Sequence, residues 1–288
     1  MERLPNVIGQ HSPTRKPSVY YSFPMHCDDW SLLPLAHSVE EINSTAASVL
    51  WRVRTVLGDY ALKDLTKASL FTKQLRGSCA REVHALRSLQ HKNVISFLGA
   101  FQSTSRLFVA MPYHDVDLYQ YTTSTPIVAP RTAERWTREL ASALLHLKRR
   151  GWLHRDVKLE NVLVTAQGSV KLADFGLAIR QAHAASASAA GTRHCIAPEV
   201  KAGRVPDYPT DAWALGVLLF ELLSGAVPPF SYHSIGSPDS PGQQPFDVQL
   251  LRSCSPRCML LMKGLLQRVP RERVRVEYVG MSRACVVS

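Results

Sequence analysis

The stretch HRDVKLENVL, residues 154–163, is the most informative part of this chain. It places three polar side chains two and three residues apart, beside an apolar and strand-like run: Asp156, Lys158 and Asn161. The stretch KLADFGLA at 171–178 sets Asp174 beside a second such run. Carboxylate and amide oxygens are the ligands that hard divalent cations take, often together with phosphates. The sequence therefore predicts a site for a divalent metal and phosphate groups.

Length and composition describe a globular protein with an excess of positive charge. A chain of 288 residues is too long for one small core and suits one large domain or two fused lobes. Hydrophobic residues make up 45% and charged residues 20%, and the formal net charge is +11. This charge favours acidic partners such as phosphates, acidic peptides, nucleic acid or an anionic membrane, although a basic tail would also explain it. No segment resembles a nucleic-acid recognition module.

The cysteines and the apolar runs predict an intracellular protein. Of the six cysteines, only Cys254 and Cys258 are close in sequence, and no second pair completes a zinc site. The N-terminus carries prolines and charges where a signal peptide needs an apolar segment. The most apolar run, 213–225, contains Glu221 and is too short to cross a bilayer. We expect reduced thiols, no transmembrane segment, and a location in the cytoplasm, the nucleus or both.

The first part of the chain has the pattern of an extension followed by strands and one helix. Residues 1–45, rich in proline and poor in periodicity, predict an irregular extension. Two short runs around Gly58-Asp59 predict a β-hairpin. Residues 78–90 predict a helix with Ser78 as its cap. Residues 93–101 and 106–113 predict two more strands.

After about residue 115 the pattern becomes helical. Residues 131–151 place four apolar side chains on one helix face: Trp136, Leu140, Leu144 and Leu147. Residues 211–225 are apolar nearly all round, which predicts a buried helix, and residues 233–245 predict a loop. The coarse prediction is an α+β fold of two lobes, a small β-rich lobe with one helix and a larger, mainly helical lobe.

Taken in order, these motifs resemble those of the eukaryotic-type protein kinases. YALK (60–63) is similar to the strand motif with the phosphate-binding lysine, and HRDVKLEN is similar to the catalytic loop. DFG (174–176) resembles the metal-binding motif, and APE (197–199) the end of the activation segment. The resemblance implies a bilobal protein-kinase-like fold over 46–280. Its N-lobe would cover about 46–111, its C-lobe about 115–280, and a short tail would follow at 281–288.

The resemblance implies that ATP and Mg²⁺ are the cofactors, bound by four motif residues. Lys63 would contact the α- and β-phosphates, and Glu82 on the predicted helix would hold its ammonium group. Asn161 and Asp174 would supply oxygen ligands to Mg²⁺.

It also implies the residues of catalysis and of substrate docking. Asp156 would accept or orient the proton of the substrate hydroxyl. Lys158 would steady the γ-phosphate, and its place in the loop resembles the Ser/Thr rather than the Tyr kinases. Thr192, in GTRH, would belong to the substrate-docking loop, while Glu199 and Arg273 would form a structural ion pair.

Apolar positions complete the implied nucleotide site and core. Four positions resemble those that surround the adenine ring, the last of them as gatekeeper: Val49, Ala61, Leu163 and Met111. Residues 112–114 would be the hinge, and Asp117 would reach the ribose. Four others match the stacked side chains that link the lobes, or are plain core: Leu86, Phe97, His154 and Phe175. Asp211 would brace the catalytic loop.

Three features depart from the family pattern or leave alternatives open. Residues 42–48, where a glycine-rich loop is expected, contain no glycine, so their backbone has less freedom to approach phosphates and ATP binding is expected to be weak. Cys195 stands where the family usually has an aromatic residue and is expected to be a small buried thiol. Ser186 and Ser188 are either phosphorylation sites that pair with Arg155 or flexible filler.

The leading hypothesis is an active serine/threonine protein kinase that transfers the γ-phosphoryl group of Mg-ATP to protein substrates. The stretch 111–121 is similar to that of herpesvirus-type kinases, which favours a viral origin. A pseudokinase that binds partners without catalysis is the alternative, supported by the missing glycines. A small-molecule phosphotransferase is a third hypothesis, against which APE and Thr192 speak. The sequence does not predict an oligomeric state.

Overall fold

A computed structural model describes residues 36–45, 48–66, 73–102, 106–125, 127–186, 190–225 and 254–279. These residues form two compact units. The first contains the described residues as far as Arg87 together with Ile95–His114, and the second contains Ser88–Val94 together with the described residues from Asp115 onward. The predictions for residues 1–35, 233–245, Ser188 and 281–288 lie outside the described residues. The division after His114 coincides with the end of the predicted hinge.

A five-stranded antiparallel sheet and one helix make up the described part of the first unit. Its elements are β1 (Ala36–Ser44), β2 (Ser48–Thr55), β3 (Gly58–Thr66), α1 (Lys73–Ser88), β4 (Gly99–Gln102) and β5 (Arg106–Pro112). The strand order is β1-β2-β3-β5-β4. One face of the sheet is apolar, and four strands each contribute one buried side chain to it: Val53, Leu62, Phe101 and Phe108.

The predicted hairpin is present, with its turn shifted towards the N-terminus. Thr55 pairs with Gly58, so Val56 and Leu57 form a two-residue turn between β2 and β3. Gly58 follows this turn with φ 130°, a backbone conformation that residues other than glycine rarely adopt.

Three predicted boundaries in this unit are corrected by the structure. Residues 36–44 form β1 rather than an irregular extension, because they pair with β2; the ion pair of Arg54 with Glu40 (3.0 Å) reinforces the pairing. Helix α1 begins at Lys73, so Ser78 lies inside the helix and does not cap it. The predicted strand 93–101 is reduced to Gly99–Gln102, and Val94 makes only an isolated bridge.

The second unit is mainly helical, with short strands around the motifs. Its helices are α2 (Leu118–Ser124), α3 (Pro130–Arg149), α4 (Pro198–Lys201), α5 (Tyr208–Ser224), α6 (Pro256–Leu265) and α7 (Val276–Val279). Its strands are β6 (Val116–Asp117), β7 (Trp152–Leu153), β8 (Val162–Val164), β9 (Val170–Leu172) and β10 (Ile179–Arg180). Strands β6, β8 and β9 form one sheet, and β7 pairs with β10. The predicted α+β fold, with one β-rich and one mainly helical part, is confirmed.

Helices α3 and α5 are the frame of this unit, and the sequence explains both. The four predicted apolar residues of α3 are all buried, and the helix begins with Pro130, whose ring suits the first turn. Helix α5 is buried from Asp211 to Leu223. A capping box of Asp207 with Thr210 begins α5, and Gly225 in a left-handed conformation ends it.

Candidate active site

The segment from His154 to Asn161 lies between β7 and β8, and helix α5 fixes its backbone. Asp211, on α5, accepts hydrogen bonds from the backbone N–H groups of His154 (2.9 Å) and Arg155 (2.8 Å). Burial raises the pKa of Asp211, while His154 and the two backbone donors oppose this rise. Arg155 has φ 70°, a strained value for a non-glycine residue, which these bonds help to maintain. The structure thus places Asp211 where the sequence predicted a brace.

The carboxylate of Asp156 is the centre of a polar cluster. Its Oδ1 accepts hydrogen bonds from the backbone N–H (3.0 Å) and the hydroxyl (2.9 Å) of Thr192. Its Oδ2 accepts one from Asn161 Nδ2 (2.8 Å) and lies 3.2 Å from Lys158 Nζ. Lys158 also donates to the Thr192 hydroxyl (2.9 Å). Four residues that the sequence assigned to catalysis, metal and substrate therefore meet within one unit.

Asn161 and Asp174 have the chemistry of a magnesium site. Both hydrogens of Asn161 Nδ2 point to Asp156, one to its carbonyl (2.8 Å) and one to its carboxylate, so Oδ1 is the oxygen left for a cation. Asp174 is exposed, and the N–H of the preceding Ala173 donates to the Asn161 carbonyl (2.8 Å). Mg²⁺ binds through one or two carboxylate or amide oxygens plus substrate phosphates and water. This donor set fits Mg²⁺.

Among the described residues, no group of three or more His, Cys, Asp and Glu could hold a metal ion.

The DFG motif is anchored behind Asp174. Asp174 has φ 55°, and its Oδ1 accepts a hydrogen bond from Gly176 N–H (3.2 Å). Phe175 is fully buried and packs edge-on against His154, with ring centroids 4.9 Å apart. His154 Nε2 lies 3.1 Å from the carbonyl of Ala173. These contacts hold the motif against the segment that carries Asp156.

In the first unit, β3 and α1 bring a lysine and a glutamate together. Lys63 Nζ lies 2.7 Å from Glu82 Oε1, and Glu82 is 3% exposed. The pair is the one predicted to hold the phosphate-binding ammonium group. Leu86 is buried one turn further along α1, and Phe97 is half-buried.

The sheet register corrects one of the predicted adenine residues. Ala61 lies opposite Met111 on β5, so these two residues and Lys63 share one face of the sheet. On β2, Leu50 pairs with Lys63, whereas Val49 pairs with Asp64 and lies on the other face. Because side chains alternate along a strand, a shift of one residue changes the face. Leu50, rather than Val49, shares the face of Ala61 and Lys63.

The other two residues predicted to contact the nucleotide are Leu163 and Asp117, which lie on neighbouring strands. Asp117 pairs with Leu163 in the β6–β8 ladder, and Leu163 is half-buried. The carboxylate of Asp117 accepts a hydrogen bond from Gln120 N–H (2.8 Å) and caps α2. Its contact with a ribose stays a prediction, and the helix cap is a role that sequence reasoning missed.

The glycine-free stretch 42–48 contains the end of β1, the first residue of β2 and the connection between these two paired strands. Ser44 pairs with Val49, and Thr45 N–H donates to the Ser48 carbonyl (2.8 Å). The Thr45 hydroxyl accepts a hydrogen bond from Ser48 N–H (3.1 Å). Residues 46 and 47 lie outside the described residues, and cover of the phosphates by this stretch stays a prediction.

Glu199 and Arg273 form a buried bidentate ion pair. Arg273 Nη1 and Nη2 donate to the two carboxylate oxygens of Glu199, at 2.7 and 3.0 Å. Arg273 also donates to the carbonyls of Pro209 (2.6 Å) and Gln267 (3.0 Å). It thereby joins α4, at the end of the activation segment, to α5 and to the turn before Arg273.

Other predictions for the activation segment concern Cys195 and two serines. Cys195 is a free thiol, 5% exposed, and burial raises its pKa, so it packs as a neutral side chain. Cys254 and Cys258 are also free. Ser188 and the side chain of Ser186 lie outside the described residues, and their phosphorylation stays a prediction.

Sequence reasoning missed the residues that position β9, the strand leading to Asp174. Glu139, on α3, accepts hydrogen bonds from Ser169 Oγ and Val170 N–H, both at 2.8 Å. The buried Asn93 donates to the Val170 carbonyl (2.8 Å). Helix α3 contains several other charged residues, so nothing in the local sequence distinguishes Glu139 as the one with this role.

Gly191 provides a test of how closely the activation segment approaches the catalytic loop. Its φ is +118°, and an added Cβ would lie 2.6 Å from the carbonyl oxygen of Arg155. We expect Gly191→Ala to lower the free energy of unfolding by about 1–3 kcal/mol and to reduce activity, because the segment must shift. Gly203→Ala is the control, since Gly203 also has positive φ but no atom within 4 Å of the added Cβ. Equal denaturation midpoints for the two variants would contradict the contact.

Comparisons with known proteins agree with this arrangement. Residues 47–282 match the protein kinase domain family, and the chain belongs to that family. It is 30% identical over 220 residues to an Aurora kinase of Schizosaccharomyces pombe, covering 76% of this chain and 62% of that protein. It is 32% identical over 219 residues to the serine/threonine-protein kinase AtPK2/AtPK19 of Arabidopsis thaliana, covering 75% and 45%.

A human relative covers less of the chain. Identity to the ribosomal protein S6 kinase-related protein of Homo sapiens is 34% over 170 residues, covering 59% of this chain and 42% of that protein. The chain thus spans about half the length of the curated relatives it matches.

In the described ranges, no helix combines the length and the hydropathy needed to cross a bilayer.

Proposed function

We propose that this protein is a serine/threonine protein kinase that transfers the γ-phosphoryl group of Mg-ATP to hydroxyl groups of protein substrates. The observation that carries the proposal is the cluster around Asp156, in which a carboxylate, an ammonium group and the side-chain amide of Asn161 lie within hydrogen-bonding distance. The Lys63–Glu82 pair in the first unit and the membership of the kinase family support the same function.

Asp156 would act on the substrate hydroxyl. Its Oδ1 already accepts a hydrogen bond from an alcohol, that of Thr192, at 2.9 Å. A substrate Ser or Thr hydroxyl that donates to this carboxylate would be oriented for attack and could lose its proton to it. Asn161 and Lys158 hold the other oxygen, so the carboxylate cannot rotate away.

Positive charge would be needed where negative charge spreads over the transferred group. Lys158 Nζ lies beside Asp156 and would stabilise that charge at the γ-phosphoryl oxygens. Lys63, held by Glu82, would bind the α- and β-phosphates. Mg²⁺ held by Asn161 and Asp174 would neutralise charge on the phosphates when Mg-ATP is bound.

Removing the carboxylate of Asp174 should abolish magnesium-dependent nucleotide binding. Asp174→Ala deletes the one ionised ligand of the proposed site and leaves a single amide oxygen. We expect the wild type to show an increase in melting temperature on adding Mg-ATP, and we expect this increase to be absent in D174A. Glu272→Ala, which removes an exposed carboxylate elsewhere in the same unit, should keep the increase. An unchanged shift in D174A would contradict the assignment.

The choice of acceptor distinguishes the proposed function from its alternatives. We suggest incubating the wild type with labelled ATP and, separately, casein, a basic protein, a tyrosine-containing copolymer and small-molecule alcohols. Label on serine or threonine of a protein supports the proposal. Label only on tyrosine or a small molecule overturns it, and Mg-ATP binding without transfer to any acceptor identifies a pseudokinase.

We propose that ATP and protein substrates are the partners of this protein. We also propose an intracellular location, in the cytoplasm, the nucleus or both, because Cys195, Cys254 and Cys258 are free thiols. A herpesvirus-type origin rests on the similarity of residues 111–121 alone, and it stays a prediction. The three relatives described above come from cellular organisms.

A further inference from the structure

A pair between the half-buried His194 and the buried Glu221 links the activation segment to helix α5. His194 Nε2 lies 3.1 Å from Glu221 Oε1, and the two side chains are 19% and 7% exposed. The second oxygen of Glu221 is buried and has no hydrogen-bond partner among the described residues. Burying a carboxylate beside only one neutral partner costs free energy, because the charge loses its hydration, whereas a positively charged partner offsets that cost. The surroundings therefore favour a proton on His194.

His194 belongs to the same tight turn as Thr192. The N–H of Cys195 donates to the carbonyl of Thr192 (2.8 Å), which closes a four-residue turn, Thr192–Cys195. Thr192, the first residue, is bonded to Asp156 and Lys158. His194, the third residue, is bonded to Glu221. One closed turn therefore has two anchors, one on the catalytic loop and one on α5.

The charged groups around His194 set its response to pH. The hydrogen bond to Glu221 on α5 raises the pKa of His194, and the negative charge of Glu160 also raises it. Burial and the positive charge of Lys158 lower it. The net effect is a pKa above the ordinary histidine value. Cys195, on the same turn, has its own pKa raised by burial and stays a neutral thiol. Since the folded pKa is raised, the ion pair is complete below the ordinary histidine value of 6.5 and is lost as the pH rises through the folded value.

We propose that His194 is a proton-dependent positioning residue, whose protonated ring ties the turn Thr192–Cys195 to Glu221 and thereby keeps Thr192 at Asp156. When the proton is lost at higher pH, the ring can offer Glu221 only a neutral hydrogen bond, the buried carboxylate loses its compensating charge, and the second anchor of the turn is weakened. Thr192 then holds Asp156 and Lys158 less firmly, and catalytic efficiency falls. This inference rests on the proposed kinase function and adds a pH-dependent control to its site.

A measurement of the His194 pKa tests the pair without reference to activity. The histidine ring signals of the ¹⁵N-labelled protein would be followed by NMR as the pH changes, with His194→Gln to assign the signal. We expect His194 to titrate above 6.5 in the wild type, and to move down towards that value in Glu221→Gln. An equal pKa in both proteins, or one below 6.5 in the wild type, would overturn the inference.

The pH profile of kcat/KM tests the positioning role. With casein as acceptor, the wild type should lose kcat/KM on the alkaline side, through the pKa measured for His194. Gln places an amide donor near the position of Nε2 but does not titrate, so H194Q should lack this loss. His183→Gln, an exposed histidine of the same segment, is the control and should follow the wild type.

The outcomes separate this inference from the proposed function. A variant that is merely destabilised would lose activity by the same factor at every pH, and a wild-type profile in H194Q would also overturn the positioning role. If the wild type transfers no phosphate at all, the proposed kinase function fails, while the NMR titration still decides whether the pair depends on a proton.

Discussion

Asp156→Asn is expected to lower the rate of phosphoryl transfer by about 10²–10⁴-fold while the fold stays intact. The amide has nearly the shape of the carboxylate, but it is a poor proton acceptor. In addition, the side-chain NH₂ group of the new asparagine is a donor, and it must face either the donors of Thr192 or those of Asn161 and Lys158. In either orientation two donors face each other and at least one hydrogen bond of the cluster is lost. The ground-state cluster and the chemical step are therefore both weakened. Initial rates and thermal denaturation of the same preparation would separate the two effects.

Asp207→Asn is the matched control for this substitution. Asp207 caps α5 and lies outside the cluster, and Asn caps helices about as well as Asp does. D207N should therefore keep both stability and activity. If D156N kept near wild-type turnover, and Lys63→Met stayed active as well, the catalytic assignments would be wrong.

Arg273→Met is expected to lower the free energy of unfolding by about 3–5 kcal/mol. The substitution leaves Glu199 as a buried charge without its bidentate partner, and it removes the donors to the carbonyls of Pro209 and Gln267. Removing one partner of a buried ion pair costs more than replacing both with apolar residues. Chemical denaturation of the wild type and the variant, monitored by circular dichroism, measures the loss.

Two further variants make this expectation sharp. The double variant E199L/R273M should be less destabilised than R273M, because no charge is left unpaired. Glu40→Ala breaks the exposed pair with Arg54 and should cost no more than about 1 kcal/mol. A loss in R273M as small as that of E40A would show that the buried pair has little structural importance.

The sequence predicted those parts of the fold whose causes are local. Helix α3 has a periodic apolar face, helix α5 is apolar nearly all round, and a glycine follows the end of each, so both were predicted to within a few residues. The strand β1 was not, because most of its residues are polar and residues 39–44 are exposed, and only pairing with β2 makes them a strand. The start of α1 was missed for a similar reason, since its first turn has no apolar periodicity.

The candidate site divides in the same way. Motif spacing identified Asp156, Asn161 and Asp174, which lie close together along the chain. The choice between Val49 and Leu50 depends on strand register, which is set by long-range pairing and not by the residues themselves. The pairing of His194 with Glu221 was likewise hidden, because the partners lie on different elements and the sequence assigned neither of them a role in the site.

Transfer of labelled phosphate from γ-labelled ATP to a protein acceptor, with and without Mg²⁺, tests the central claim most directly. Phosphoamino-acid analysis of casein after incubation with the wild type should find label on serine or threonine. That label should disappear when Mg²⁺ is chelated, and in the D156N variant. A protein that binds Mg-ATP yet labels no acceptor, or equal labelling by D156N and the wild type, would contradict it.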